Sequence, residues 1–482
     1  MSGILSIGAY VPLMRLQRAA VYEANKWFAP GLRGLARGER AIANWDEDVV
    51  TMAVEAARDC LVGQDAADVS TLLLASTSAP FADRQNAGIV KEALTLPDAV
   101  LTLDVGTSQK AGTGALIQAF RSADSGCTLV AASEKRRARP ASEDELANGD
   151  AAAALLVGPG EGLARFIGSH SVSADFVDHF RTTAAEFDYG WEARWIREEG
   201  YAKLAGEAVS GLLAAQGLSG LDIAHFAAAI PAKGAAGALA AKAGIAAEAV
   251  VDDLAANLGF AGCAHPLLML AAALERAKAG EKILVLGFGQ GADALLLEAT
   301  GAAGQAAPAG GLTAALARSR KEENYLKYLA FAGHLNLELG KRAEFDQKPV
   351  LTALYRNRKA VLGLVGGRCT VTGTVQFPRS EISVNQNEPA IGTQEDYPFA
   401  HRRAKVLTYT ADSLTYTPDP PNYYGMIEFD GGGRMMIEFT DADPASIYVG
   451  APVRMMFRIK AHDERSGFVK YFWKAVPAAE GN

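Results

Sequence analysis

The stretch Asp104-Val-Gly-Thr-Ser-Gln-Lys-Ala-Gly-Thr-Gly-Ala-Leu116 places Gln109 and Lys110 at a strand-to-helix junction. Unpaired backbone N–H groups and the helix dipole favour a polarised oxygen there, although the spacing alone also suits an ordinary glycine-rich turn. His265, in Gly262-Cys-Ala-His-Pro266, opens a second helix and reads either as an acid/base group facing Gln109 or as a histidine that caps and packs. Tyr189, ahead of Trp191 and Trp195, is placed to protonate an enolate or alkoxide, or to form part of an aromatic wall. Lys135, Arg136, Arg137 and Arg139 form the densest basic cluster, a solvated loop or a phosphate contact. Gly287-Phe-Gly-Gln-Gly291 follows an apolar strand but lacks the GxGxxG spacing and a following helix, so it does not support dinucleotide binding. Asp83 and Arg84 read as a helix cap and a surface charge, and His170 and His179 as structural.

These groups need a scaffold of alternating strands and helices. TLLLAS, AVLTLDV, CTLVAAS and DAAAALLVG read as strands, with helical stretches after the first two. From His225 the order recurs with HFAAAIP, EAVVDDL, KILVLGFG and ADALLLEA, and a glycine-punctuated helix start at NLGFAGCAHPLLML. Two β-α-β-α-β-β halves point to a duplicated α/β unit, and short continuous apolar strands imply sheets covered on both faces. GAAGQAAPAGG then supplies Gly, Ala and Pro without periodicity, as a linker over 301–320 would. Behind it, AALARSRKEENYLKYLAF predicts an amphipathic helix, and five runs from AKVLTYT to GFVKYFWKA predict a small OB-type β-barrel. The expected domains are 1–160 and 161–300 for the two halves and 321–482 for the tail.

Composition narrows the class. The chain has 482 residues, 49% hydrophobic and 21% charged, in keeping with a folded globular protein of several domains. Its formal charge of −8 leaves no footprint for nucleic acid. The charge is uneven, with 20 basic and 19 acidic residues from Lys321 onward against 27 and 36 before it. Cys60, Cys127, Cys263 and Cys369 show no paired spacing, and no apolar run reaches the length of a membrane span, so a cytoplasmic protein is expected.

From GILSIGAYVP through DEDVVTMAVEAA and SQKAGTGAL to KILVLGFGQGADA, the chain resembles the thiolase superfamily and, within it, the hydroxymethylglutaryl-CoA synthases. The tail resembles the acyl-CoA-associated OB-fold family. The resemblance implies a five-layer α-β-α-β-α thiolase fold, a homodimer, and an acyl-CoA substrate with coenzyme A as its carrier. It implies no bound cofactor and adds a partner subunit docked by the OB-fold. Lys135, Arg136 and Arg137 then become candidate contacts for the CoA phosphates, and Gly287 and Gly289 an oxyanion wall.

The departures from that family bear on the chemistry. In such synthases the residue before Lys-Ala-Gly-Thr is the nucleophilic cysteine, and here it is Gln109. An amide cannot carry an acyl group. The general acid/base glutamate falls near Thr77, and the catalytic histidine falls in Ala228-Ala229-Ile230-Pro231, where nothing titrates. Asn257 matches the asparagine that binds the thioester carbonyl. In the tail, Cys369 and Thr372-Gly373 stand where the related domains carry a Cys-x-x-Cys-Gly knuckle, so the ribbon reads as metal-free. The residues point to enolate stabilisation without a covalent intermediate, by aldol, retro-aldol or decarboxylation chemistry. A silent acyl-CoA-binding scaffold and a synthase with a relocated nucleophile, Cys263, are the alternatives.

Overall fold

The apolar runs of the front part become strands that are largely buried, except Leu101–Val105, where Leu101 and Leu103 are exposed, and Ala164–Ser173, which is mostly half-buried. The computed structural model describes residues 2–304, 310–338 and 350–478. Its contacts divide the chain into two units, the first being residues 2–44, 48–88 and 96–334. In this unit nine strands form one mixed sheet: β1 (Ser2–Tyr10), β2 (Val69–Ala75), β3 (Leu101–Val105), β4 (Cys127–Glu134), β5 (Ala151–Pro159), β6 (Ala164–Ser173), β7 (Ile223–Ala229), β8 (Lys282–Phe288) and β9 (Gly291–Ala299). Their order is β7-β8-β9-β6-β1-β5-β4-β2-β3.

The register carries the duplication. β2 runs parallel to β4, β4 antiparallel to β5 and β5 antiparallel to β1. β7, β8, β9 and β6 repeat that pattern in the same order. The two sets meet through the pair Gly3–Arg165. One predicted strand is not formed as such: EAVVDDL keeps a single bridge from Val250 to Phe226. A 3-10 turn takes Ala247–Ala249, and the carboxylates of Asp252 and Asp253 bind the N–H groups of Leu254 and Ala255, turning the chain instead.

Two glycine-punctuated helices lie among the strands. They are α1 (Ala111–Ser122) and α2 (His265–Leu274), and every residue of α2 is buried. Gly112 is required by close approach, because a Cβ there would strike the carbonyl of Cys263.

Residues 305–309 of the expected linker lie outside the described residues. Beyond them, Gly311–Ala317 is a helix of the first unit with Leu312 buried, and the Glu275 carboxylate accepts from the N–H groups of Leu312 and Thr313. The amphipathic helix predicted next is divided. Arg320–Glu322 forms a strand beside Met14–Gln17, and the Asn324 side chain caps a new helix, Tyr325–Phe331.

The second unit holds Trp45–Glu47, Ile89–Thr95 and the described tail from Leu335. Its strands are β10 (Val365–Cys369), β11 (Val375–Gln376), β12 (Gln394–Pro398), β13 (Ala404–Asp412), β14 (Asn422–Phe429), β15 (Arg434–Glu438), β16 (Pro452–Asp463) and β17 (Phe468–Pro477). The last five run in the order β15-β14-β13-β16-β17, and a bridge between Phe439 and Ala475 closes them into a barrel. Phe457, Tyr471 and Trp473 pack inside it.

The fully buried Arg458 binds Glu47 and Asp441 at 3.0 Å each, and Lys474 binds Asp46 at 2.9 Å. At the ribbon, Cys369 Sγ contacts Thr393 Oγ1 at 3.1 Å and accepts from Thr372 N at 3.4 Å. Hydrogen bonds from Thr372 and then Thr393 draw that thiol down to about 6. One sulfur and two hydroxyls do not fit tetrahedral zinc. Among the described residues no group of three His, Cys, Asp or Glu side chains is placed to hold a metal, and no helix is long and apolar enough to cross a membrane.

Candidate functional site

The site forms where β2 and β4 end beside the first turn of α1. β4 delivers Glu134, fully buried, to the loop after β2. Its carboxylate accepts from Ser76 Oγ (2.9 Å), Thr77 N (2.7 Å), Thr77 Oγ1 (2.7 Å) and Ser78 Oγ (2.9 Å). Four donors to one carboxylate satisfy it and fix this loop. Thr77 is therefore bound to an acid from the neighbouring strand.

Thr107, with φ +69°, turns the chain between β3 and α1. Ser108 Oγ donates to the Gly289 carbonyl at 2.8 Å, joining this turn to the one after β8. Lys110 does not offer a free amine, since its Nζ lies 3.1 Å from Asp293, which also accepts from Thr113 Oγ1 at 3.1 Å.

The Gln109 amide is buried between Arg136 and His179. A guanidinium has only donors, so the amide turns its carbonyl oxygen to Arg136, whose three guanidinium nitrogens lie at 2.8–3.1 Å. His179 Nε2 lies 3.2 Å from the same oxygen, and its Nδ1 lies 3.0 Å from Asp178 Oδ1. Arg136 is held in turn by Asp188 at 2.5 Å, and Asp188 also binds Arg181 at 3.3 Å. Arg181 returns to the Thr77 carbonyl, closing the ring of contacts on the β2 loop. Below them a π-helix, Ile196–Ala205, presents buried Tyr201, whose hydroxyl is pushed well above its ordinary value by burial and then by the charge of Asp178.

Of the residues singled out by sequence, Gln109, Arg136, Gly287 and Gly289 come together here. A Cβ on Gly289 would lie 2.7 Å from Ser108 Oγ and 2.9 Å from Gln109 N, and one on Gly287 would meet Thr113. His265 faces elsewhere. It is 2% exposed, its Nδ1 accepts from Ala261 N at 3.2 Å, and its Nε2 donates to the Asp253 carbonyl at 3.0 Å. Burial lowers its pKa to about 4, so it is a neutral, fully engaged packing residue. Asn257 is exposed in a turn, and Tyr189 is 57% exposed against Phe180 and Trp191.

Lys135 is anchored through its backbone N–H to Ser78 Oγ, and Arg137 pairs with Glu186 at 2.6 Å. Cys263 is fully buried and donates to the Ala75 carbonyl at 3.3 Å; burial, and next the charge of Glu134, push its thiol well up. Sequence reasoning missed Asp178, Arg181, Asp188 and Tyr201 and took His179 as structural. The one signal for the pair was the adjacency of Asp178 and His179 in a stretch between the first two strands of the second half.

Comparison with known proteins bears on the fold and the family. The hydroxymethylglutaryl-CoA synthase of Aeropyrum pernix is 31% identical over 343 residues, covering 69% of this chain and 95% of that protein. The one from Methanocaldococcus jannaschii is 26% identical over 61% of this chain and 86% of its own length. Among solved structures, MvaS in complex with 3-hydroxy-3-methylglutaryl coenzyme A superposes with a TM-score of 0.59 at 23% identity, over 68% of this chain and 91% of that one. PksG, an HMG-CoA synthase from Bacillus subtilis, gives 0.61 at 17% identity over 71% and 95%. These structural likenesses establish the thiolase-type fold. Residues 397–458 match the family described as ChsH2, C-terminal OB-fold domain. With the duplicated sheet, the glycine turns around position 109 and a relative of nearly full length all in agreement, the chain belongs to the hydroxymethylglutaryl-CoA synthase family and carries an OB-fold domain at its tail.

Proposed function

We propose that this protein makes or breaks a C–C bond beside a CoA thioester by stabilising an enolate, through aldol, retro-aldol or decarboxylation chemistry, with no acyl group carried on cysteine. The observation that supports it is the Gln109 amide, anchored through its carbonyl oxygen to Arg136. The anchor turns the two N–H donors away from the guanidinium at the start of α1, where the thioester oxygen of an enolate would need them. A thiol nucleophile is missing from position 109, and Cys263 is buried with its thiol held protonated. The CoA ligand is inferred from relatives named as hydroxymethylglutaryl-CoA synthases and from a structural neighbour that holds such a thioester. A homodimer and a partner subunit docked by the OB-fold tail belong to the same reading.

The test is to incubate purified protein with a panel of acetyl-, malonyl-, methylmalonyl- and 3-hydroxyacyl-CoAs, follow products by mass spectrometry and weigh the intact chain. A thioester product altered at one C–C bond, with the chain mass unchanged, is expected. An acyl adduct on the chain would overturn the reading, and binding without turnover across the whole panel would favour the silent scaffold.

A further inference from the structure

We propose that His179, oriented by Asp178, is the catalytic acid that protonates the enolate carbon in this site. The proposal rests on the enolate reading above and adds the residue that completes it. The family's histidine and glutamate positions carry no titrating group, so any proton must come from elsewhere.

Glu134 is engaged by four donors, Lys110 is paired to Asp293, and Arg136 does not give up its proton at any working pH. Cys263 and Tyr201 are buried with their protons held tightly. His265 is 2% exposed, with both ring nitrogens on backbone groups, whereas the His179 side chain is 22% exposed. His179 remains, and its geometry is that of a donor. Asp178 Oδ1 lies at Nδ1 and the Gln109 carbonyl at Nε2, and a proton on Nε2 is held toward that carbonyl until the α-carbon takes it. Nε2 lies 3.2 Å from the amide whose N–H donors would hold the thioester, which brings the ring to the same ligand.

The step balances without a further reactant. As the C–C bond breaks, its electron pair enters the thioester as an enolate whose oxygen lies on the Gln109 N–H donors, and the other fragment leaves as carbon dioxide or a carbonyl compound. The Nε2 proton then bonds to the α-carbon. The ring is recharged from water after decarboxylation, or by the hydroxyl proton that a retro-aldol cleavage releases.

The reverse of this protonation is exchange of the α-hydrogen, so hydrogen–deuterium exchange of acetyl-CoA and propionyl-CoA in D2O reads it without knowledge of the natural substrate. Wild type should exchange the α-hydrogens, and His179→Gln should lower the rate by about 10²–10⁴, the usual contribution of a positioned acid/base group. Affinity for propionyl-CoA by calorimetry should be unchanged in that variant. Asp178→Asn should lower exchange as well, again with affinity retained. His179→Ala should recover exchange when imidazole is added, which a merely structural histidine would not. Wild-type exchange in His179→Gln, or failure of imidazole to restore His179→Ala, would overturn this proposal and leave the enolate reading standing. A wild type that binds thioesters yet neither exchanges nor turns over any of them would overturn both.

Discussion

The carbonyl oxygen of Gln109 lies 2.8 Å from a guanidinium nitrogen of Arg136, 27 residues along the chain and on a different strand end. That contact sets which way the amide points. On the enolate reading proposed above, the guanidinium takes the carbonyl oxygen and the amide's N–H donors serve the thioester.

Gln109→Ala should therefore keep the fold and most of the affinity for CoA thioesters while lowering turnover by about 10²–10³, the usual loss for one oxyanion donor. Steady-state kinetics beside calorimetric binding checks this. Equal turnover in the two proteins would move the chemistry away from this turn.

Arg136→Met separates two roles. If Arg136 orients Gln109, the variant loses the guanidinium contact that holds the amide carbonyl, and kcat falls by about 10-fold to 10²-fold with KM little changed. If Arg136 contacts a CoA phosphate, as its place in the basic cluster suggests, KM rises instead and kcat holds. The burial of Arg136 against Asp188 favours the first outcome.

The turn that carries Gln109 was legible in the sequence because its signal is local: Gly112 after it marks a close approach to the Cys263 carbonyl. Seven strands of the first unit were legible as short apolar runs closed by turn residues, while Ser2–Tyr10 and Ala164–Ser173 were not read as strands and EAVVDDL was read as one that does not form. His179 was not legible, because what makes it chemical is a contact with a residue 70 positions away. His265 misled for the opposite reason. A histidine opening a helix beside a glycine turn looks catalytic, and only the approach of the Asp253 carbonyl and the Ala261 N–H reveals that both nitrogens are engaged.

His265 has a consequence for stability. Its pKa falls from 6.5 to about 4 on burial, so the unfolded chain takes up a proton that the folded chain resists. The sign follows from linkage: the contribution is full above about pH 6.5 and is lost as pH falls toward 4, reaching about 3 kcal/mol in order of magnitude. Urea unfolding of wild type and His265→Gln at pH 7.5 and 5 should show a smaller acid loss in the variant. Identical acid losses would show that this ring does not resist protonation in the folded protein.

In the tail unit, Arg458 carries Glu47 and Asp441, and Lys474 carries Asp46. Removing one partner strands buried charge, which costs about 3–5 kcal/mol even where the intact cluster contributes little net stability. Arg458→Met should lower the denaturation midpoint of the full chain sharply. Adding Glu47→Gln and Asp441→Asn to that variant should restore part of the loss, because the stranded carboxylates are then neutral. A midpoint unmoved by Arg458→Met would mean that water reaches the cluster.

Gly289 tests whether the two glycine turns position the chemistry together. Its φ is not in the left-handed region, so the demand on this residue is space and not backbone conformation. A methyl at Gly289 would press on Ser108 Oγ at 2.7 Å and on the backbone nitrogens of Gln109 and Lys110 at 2.9 Å. The hydroxyl can rotate away, but the nitrogens belong to the turn itself, so the turn carrying Gln109 must shift by a few tenths of an ångström. Overpacking of this kind costs about 1–3 kcal/mol, which a unit with so large a buried core tolerates. Gly289→Ala should thus fold, bind CoA thioesters and lose turnover, whereas Gly301→Ala, with open space around its Cβ position, should match wild type. Full activity in Gly289→Ala would show that the Gln109 amide keeps its place without support from the turn after β8.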